Sequence, residues 1–194
     1  MIVWAIFGYL LGSVPFGLVI ARALGLGDLR QIGSGNIGAT NVLRTGNKPA
    51  ALATLLLDSG KGAIAVLLAR HFGGESAALV AGAAAFLGHC YPVWLRFQGG
   101  KGVATFLGTL IALNWPLGLI ACATWAATAA ISRISSLSAL LAAALAPVFA
   151  WAMGRTDIAA AAAFMAILIF VRHKANIARL LDGSEPRIGA GRKR

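Results

Sequence analysis

Between Gly102 and Ser132 the chain runs for 31 residues without a charged side chain. An α-helix needs about 20 consecutive apolar residues to cross a bilayer, so this stretch points to a membrane rather than to water. The whole chain of 194 residues is 59% hydrophobic and only 12% charged, whereas soluble domains carry about 25% charged residues. This composition excludes a disordered chain, a disulfide scaffold and an ordinary soluble enzyme. We predict an all-α, polytopic membrane protein.

Apolar stretches predict seven transmembrane helices. The stretch from Gly102 to Ser132 is too long for one upright helix, and Asn114-Trp115-Pro116 in its middle is a turn signal, so we divide it into two short spans. The other five predicted spans are Met1–Ala21, Pro49–Ala69, Ser76–Leu95, Ile134–Gly154 and the short Ile158–Val171. The first has no basic segment of the kind that opens a cleaved signal peptide, so we expect it to be retained.

The basic residues predict the orientation. With seven spans in order, 14 of the 17 Lys and Arg fall on one side and only Arg70 and Arg155 on the other, while Lys61 lies within a span. Lys and Arg concentrate in cytoplasmic loops, so we expect the N-terminus outside and the C-terminus in the cytoplasm. The same distribution explains the net charge of +11 without a nucleic-acid partner. We expect residues 1–194 to form a single domain, with a flexible basic tail at 190–194.

Two predicted cytoplasmic loops have the composition of phosphate cradles. The first contains Gly33-Ser-Gly-Asn-Ile-Gly38, and the second, Gly99-Gly-Lys-Gly102, leads directly into an apolar helix. Glycine lets successive N–H groups turn toward an anion, and a helix N-terminus adds partial positive charge. The alternative for each loop is a flexible connection with glycines at its turns. Polar groups that accompany the two loops are Ser34, Asn36, Thr40, Asn41, Arg44 and Lys101.

Other patterns are uninformative or remain open. Gly33, Gly35 and Gly38 match the dinucleotide fingerprint, but no strand pattern precedes them, and no Walker A sequence occurs. Cys90 and Cys122 have neither a metal-binding nor a disulfide spacing. Asp58 and Lys61 share one helix face within a predicted span, and His89 lies late in the next. Whether these three residues serve chemistry or packing is left open by the sequence.

Three segments resemble the signatures of the bacterial membrane glycerol-3-phosphate acyltransferases of the PlsY family. They are residues 33–41, residues 99–105, and the segment that carries His173, Asn176 and Glu185. Ser13-x-Pro15-x-Gly17, Asp58-x-x-Lys61-Gly62 and Gly88-His89-x-x-Pro92 resemble supporting motifs, so the likeness runs from about residue 12 to residue 189.

The resemblance implies a seven-helix bundle in the bacterial cytoplasmic (inner) membrane with its active site facing the cytoplasm. The implied reaction moves an acyl chain from acyl phosphate to the 1-hydroxyl of glycerol 3-phosphate, giving lysophosphatidate and inorganic phosphate for phospholipid biosynthesis. The resemblance implies no metal, no cofactor and no use of acyl-CoA as the direct donor. It implies contact with membrane lipid and no obligate protein partner. The His-x-x-x-x-Asp motif of other glycerolipid acyltransferases is missing, because Ser76, Trp94 and Ala178 stand five residues after the three histidines.

On this resemblance we expect Ser34, Lys101, His173 and Asn176 to be the catalytic residues. The predicted substrate-binding residues are Gly33, Gly35, Asn36, Gly38, Thr40, Asn41, Arg44, Gly99, Gly100 and Gly102. The first loop would hold acyl phosphate, while Arg44, Lys101 and Asn176 would bind glycerol phosphate. A transporter of phosphorylated small solutes is the alternative. It would place binding groups near the bilayer midplane and show a repeat between halves, and we find neither pattern.

Overall fold

The computed structural model describes residues 1–189, and none of them forms a β-strand. The predicted tail at 190–194 lies outside the described residues. The α-helices are α1 (Ile2–Gly12), α2 (Phe16–Ala23), α3 (Ala39–Leu43), α4 (Lys48–Cys90), α5 (Val103–Leu113), α6 (Trp115–Ser132), α7 (Ser135–Ala152), α8 (Thr156–Arg172) and α9 (Lys174–Leu181). Short 3₁₀ turns cover Leu29–Gln31 and Val93–Leu95. By contacts the chain divides into two compact units, Met1–Gly118 and Leu119–Arg194.

The first predicted span is broken in the middle. Helix α1 ends at Gly12 and α2 begins at Phe16, with Ser13, Val14 and Pro15 between them. Proline lacks the backbone N–H that would continue the helical ladder and clashes with the preceding turn. The carbonyl groups of Ser13 and Val14 in this break lie outside the regular helical ladder, and side chains described below donate to both of them.

Helix α4 folds back on itself at Gly74. This glycine has φ +80° and ψ −175°, which is not helical and which a side chain would strain. Residues 58 and 89 would lie about 46 Å apart on a straight helix, yet Asp58 Oδ1 and His89 Nδ1 are 3.6 Å apart. The two halves are therefore antiparallel, and they correspond to the predicted spans Pro49–Ala69 and Ser76–Leu95. The second half ends at Cys90 rather than at Leu95, because Tyr91 and Pro92 leave the helical conformation.

Helix α1 packs against α4 through glycines. A Cβ atom built on Gly8 would lie 2.2 Å from the Ala81 carbonyl oxygen, and one on Gly12 would lie 1.9 Å from that of Ala85. In return, a Cβ on Gly88 would lie 2.2 Å from the Tyr9 carbonyl oxygen. Small residues let helices approach this closely in membrane proteins. The G-x-x-x-G pair of α1 thus packs within the chain.

The remaining boundaries follow the sequence closely. Asn114 separates α5 from α6 as expected, and its Oδ1 accepts the Leu117 N–H at 3.0 Å. In the second unit α7 packs on α8, and α8 begins two residues earlier than the predicted Ile158. Among the described residues four helical stretches are long and apolar enough to cross a membrane, or five if α8 and α9, bent by 64°, count as one. Helix α9 and the short α3 were not predicted.

Candidate active site

Asn41 holds the first glycine loop, residues 33–38, in shape. Its side chain is buried, its Nδ2 donates to the Leu29 carbonyl at 2.8 Å, and its Oδ1 accepts the Ser34 N–H at 3.2 Å. The same Oδ1 accepts Arg44 Nη1 at 3.3 Å. Asn41 was predicted to contact substrate or shape the cradle, and its contacts favour shaping. One amide side chain thus places both Ser34 and Arg44.

Gly33 is required by this arrangement. It has φ +53°, and a Cβ atom there would lie 2.6 Å from Arg44 Cδ and 2.7 Å from Asn41 Oδ1. Gly35 also has a positive φ of +68°, and its N–H donates to the Ile32 carbonyl at 2.9 Å. Gly38 differs, since it is extended and precedes α3. The loop therefore turns where the sequence places its first two glycines.

The exposed groups of the first loop are those that a substrate could reach. Ser34, Thr40 and Arg44 are exposed, and Asn36 is half-buried. Within residues 1–189 the Ser34 hydroxyl has no hydrogen-bond partner, while its backbone N–H is fixed by Asn41. A hydroxyl on a fixed backbone beside a guanidinium group suits a phosphate ligand.

The second glycine loop, residues 99–102, lies directly on the end of α4. The Gly99 N–H donates to the Cys90 carbonyl and the Gly100 N–H to the His89 carbonyl, both at 3.1 Å. The expectation that these two amides point into an anion nest is therefore wrong. Close packing explains why these two positions are glycine. A Cβ atom on Gly99 would lie 2.2 Å from the His89 carbonyl oxygen.

Lys101 and the start of α5 follow this anchored turn. Gly102 has φ +83°, and a Cβ atom there would lie 2.2 Å from the Phe86 ring. Helix α5 begins at the next residue, so the unpaired first-turn N–H groups of an 11-residue helix lie immediately after half-buried Lys101. Lys101 and the N-terminus of α5 therefore provide the positive charge and the N–H donors that a phosphate site uses.

Both loops border the break in the first helix. A Cβ on Gly17 would lie 1.9 Å from the Ile37 carbonyl oxygen, so the first loop rests on the start of α2. Trp94, in the turn before the second loop, donates its Nε1 to the Ser13 carbonyl at 3.0 Å. A cleft of about 580 Å³ lies beside them, lined by Leu18, Ala21, Arg22, Gly25, Gly27, Asp28, Arg30 and Leu95. The two loops therefore lie on the same side of the first unit.

Glu185 organises the third cluster, in the second unit. Its Oε1 accepts Ser136 Oγ at 2.7 Å and Asn176 Nδ2 at 2.5 Å, and its Oε2 accepts Arg179 Nε at 2.7 Å. Partial burial raises the pKa of Glu185, but these hydrogen bonds outweigh burial and hold it below the ordinary glutamate value. Glu185 was matched in the third signature but was not among the predicted site residues. An acidic residue within the third signature, in a mainly basic segment, was the available signal.

His173 is buried, and it precedes Asn176 of this cluster by three residues in the sequence. Its Nδ1 lies 2.8 Å from the Ile169 carbonyl oxygen, which fixes the ring at the bend between α8 and α9. A proton on Nδ1 is assigned from this contact, because a carbonyl oxygen can only accept. Among residues 1–189 no group of three or more His, Cys, Asp or Glu could hold a metal ion.

Comparison with known proteins decides the family. The model of the family described as glycerol-3-phosphate acyltransferase matches residues 2–183. A glycerol-3-phosphate acyltransferase of Cereibacter sphaeroides is 68% identical over 97% of this chain and 90% of its own length. The corresponding protein of Dinoroseobacter shibae is 66% identical over 95% and 91%. The chain belongs to the PlsY family of glycerol-3-phosphate acyltransferases.

A solved structure agrees in fold. A crystal structure of PlsY in its glycerol 3-phosphate form has a TM-score of 0.92 and 40% identity, covering 97% of this chain and 95% of that one. A lysophosphatidic acid form of PlsY has a TM-score of 0.88 and 38% identity. Both are described as an integral membrane glycerol 3-phosphate acyltransferase. This chain is accordingly an integral membrane enzyme, a glycerol-3-phosphate acyltransferase, and the resemblance found in its sequence is confirmed.

Proposed function

We propose that this enzyme transfers an acyl chain from acyl phosphate to the 1-hydroxyl of glycerol 3-phosphate. The products are lysophosphatidate and inorganic phosphate, and the reaction serves phospholipid biosynthesis. The observation that carries the proposal is the pair of glycine loops on one side of the first unit, which bring Ser34, Arg44 and Lys101 to the same broken helix. Two phosphate-bearing substrates need separate cationic and N–H donor groups, because their charges repel.

In this proposal each loop binds one anion. Ser34 and the backbone of residues 33–38 hold the phosphate of the donor, with Asn36 and Thr40 at the edges of the loop. On the family resemblance, Arg44, Lys101 and Asn176 bind the phosphate of the acceptor. Asn176 Nδ2 donates to Glu185 Oε1 at 2.5 Å, which fixes the amide side chain. Gly99 and Gly100 act by letting the Lys101 loop lie on α4, and the first-turn N–H groups of α5 take the role expected of their amides.

The chemistry then requires alignment more than acid–base power. The hydroxyl oxygen of glycerol 3-phosphate attacks the carbonyl carbon of the acyl phosphate, and the carbon–oxygen bond to phosphate breaks. The leaving phosphate takes up the hydroxyl proton, so no carboxylate base is needed. His173, fixed by Ile169, positions the reacting hydroxyl. Orienting two reactants in this way is worth several kcal/mol of the barrier.

We further propose seven transmembrane spans in the bacterial cytoplasmic membrane, with the N-terminus outside. Helical segments cover all seven apolar stretches, and α4 supplies two of them through its fold at Gly74. The excess of Lys and Arg on alternate loops supports a cytoplasmic site. The family's activity, acyl transfer, disfavours the transporter alternative.

A donor comparison tests the reaction. Purified protein in detergent is incubated with glycerol 3-phosphate and either acyl phosphate or acyl-CoA, and lysophosphatidate and phosphate are measured. We expect product only with acyl phosphate, with one phosphate released per lysophosphatidate. Product formed from acyl-CoA but not from acyl phosphate would refute the assignment of acyl phosphate as the donor.

The proton route has its own test. If the leaving phosphate takes the proton, His173→Ala loses orientation but keeps measurable turnover. If His173 is the obligate base, His173→Ala is as inactive as Lys101→Ala. Comparing the two variants at saturating substrate decides between the routes.

A further inference from the structure

Three ionisable side chains of α4 are buried inside the first unit. Asp58 and Lys61 are each 2% exposed and His89 is 5% exposed. Removing charged groups from water is costly, and within apolar membrane helices such residues pair with one another and mark functional sites. We call Asp58, Lys61 and His89 the buried triad.

Lys61 connects the triad to the break in the first helix. Its Nζ lies 2.8 Å from Asp58 Oδ1 and donates to the Val14 carbonyl at 2.8 Å. Val14 lies between α1 and α2, where the helical ladder is interrupted. Lys61 therefore shares the Val14 carbonyl with the Phe16 N–H, which donates to it at 3.1 Å, next to the Ser13 carbonyl that accepts from Trp94.

His89 connects the triad to the second glycine loop. Its Nδ1 lies 3.6 Å from Asp58 Oδ1. The opposite edge of the ring faces Gly100, because a Cβ on Gly100 would lie 2.2 Å from His89 Nε2. The Gly100 N–H also donates to the His89 carbonyl. The position of the His89 ring thus determines how close the residue before Lys101 can come.

Asp58 connects the triad to the first turn of α5. The Thr105 Oγ1 donates to the backbone carbonyl of Asp58 at 2.9 Å, and this bond is buried. Lys101 is therefore preceded by a glycine that contacts the His89 ring and followed, four residues later, by a threonine bonded to the backbone of Asp58. The residues of the triad thus contact the Lys101 segment on both sides, through the His89 side chain at Gly100 and through the Asp58 backbone at Thr105.

We propose that the buried triad is a positioning centre for glycerol 3-phosphate binding. It sets the distance between the Lys101 segment and the broken first helix, so that Lys101 and the start of α5 meet the acceptor phosphate. The triad does not touch the reacting atoms. This inference rests on the proposed function, since it assigns Lys101 to the acceptor phosphate.

The test separates the Michaelis constants of the two substrates. In His89→Ala the Gly100 turn loses the ring on which it rests, and we expect the KM for glycerol 3-phosphate to rise about tenfold to a hundredfold. The KM for acyl phosphate stays unchanged, because the first glycine loop is held by Asn41 and not by the triad. A merely structural role would lower the yield of folded protein and leave both constants of the folded fraction at their wild-type values.

Two further variants complete the design. Asp58→Asn/Lys61→Met removes both charges together, so neither is left buried alone, and the same rise in KM is expected. The matched control is Arg70→Met, since Arg70 also joins a carboxylate (Glu75) to carbonyl groups, those of Ala112 and Leu113 at the other end of α5. It should lower thermal stability without changing either KM.

The outcomes are distinguishable. A wild-type enzyme that makes no lysophosphatidate from acyl phosphate would contradict the proposed function itself. An active wild type, with a wild-type KM for glycerol 3-phosphate in folded His89→Ala, overturns the positioning role. If His89→Ala does not fold, the double variant decides in the same way. Equal increases in both KM values, or an increase in Arg70→Met, also overturn it.

Discussion

Asn41→Ala should loosen the first glycine loop more than any other single change there. The substitution removes the Nδ2 that donates to the carbonyl of the fully buried Leu29. It also removes the Oδ1 that accepts from the Ser34 N–H and from Arg44 Nη1. A buried carbonyl left without a partner costs about 1–3 kcal/mol, and a lost neutral hydrogen bond about 0.5–1.5 kcal/mol. The long bond to exposed Arg44 contributes little. We expect a loss of about 2–4 kcal/mol in the local stability of residues 29–44.

Hydrogen exchange measures this loss directly. In detergent, the amides of residues 29–44 should exchange roughly thirty to several hundred times faster in Asn41→Ala, because each 1.4 kcal/mol is about a factor of ten. Turnover should fall as well, since Ser34 and Arg44 lose their common anchor. Asn41→Asp tests the donor alone, because its carboxylate keeps the acceptor but places an oxygen against the Leu29 carbonyl.

Asn47→Ala is the matched control. Asn47 caps α4 by accepting the Ala50 N–H at 3.0 Å, and it makes no contact of this kind with Ser34 or Arg44. Its loss should cost about 1 kcal/mol at the start of α4 and leave exchange near Ser34 unchanged. Wild-type exchange and turnover in Asn41→Ala would refute the idea that this side chain organises the loop.

Three further predictions concern other parts of the chain. Lys101→Ala should lower turnover about 10² to 10³-fold while the protein remains folded, because one donor to developing charge is worth about 3–4 kcal/mol; near-wild-type rates would exclude its assignment. Gly12→Ala should destabilise the packing of α1 on α4 by about 1–3 kcal/mol in thermal melts, whereas Gly60→Ala, with no neighbour within 4 Å of the added carbon, should not. The lowered pKa of Glu185 stabilises the folded state above the ordinary glutamate pKa, and this contribution is lost as pH falls through the folded-state value. Glu185→Gln should flatten the acid side of the stability profile, and an unchanged profile would contradict the bonds to Ser136, Asn176 and Arg179.

The helices were predictable because their signals are local. A charge-free stretch, the Asn114 turn and the proline of the first span each act within a few residues, and the structure has a helix end or break at each of them. Residues 70–75 were expected to be a loop, but only Gly74 leaves the helical conformation. The Arg70 side chain bonds Glu75 and two carbonyl groups of α5 at this fold, and the distant partners in α5 are not visible in the local sequence.

The sequence indicated which residues belong to the candidate site better than it indicated what each residue does there. Glycine loops indicate phosphate binding by composition, yet the amides of Gly99 and Gly100 are taken by carbonyl groups about ten residues earlier in the chain. Lys61 reaches a carbonyl 47 residues away, and Glu185 reaches Ser136 across 49. Such partners are set by tertiary packing, which a local pattern does not contain.

The shortness of α5 affects how the two substrates arrive. Eleven residues rise only about 16 Å, roughly half the thickness of the hydrocarbon layer. A helix of this length does not cross the layer alone, so the proposed topology needs the turns at both of its ends, at Lys101 and at Asn114, to extend toward the two surfaces. In that topology glycerol 3-phosphate reaches Lys101 from water, while the fatty chain of the donor stays among the lipid tails and enters from the side.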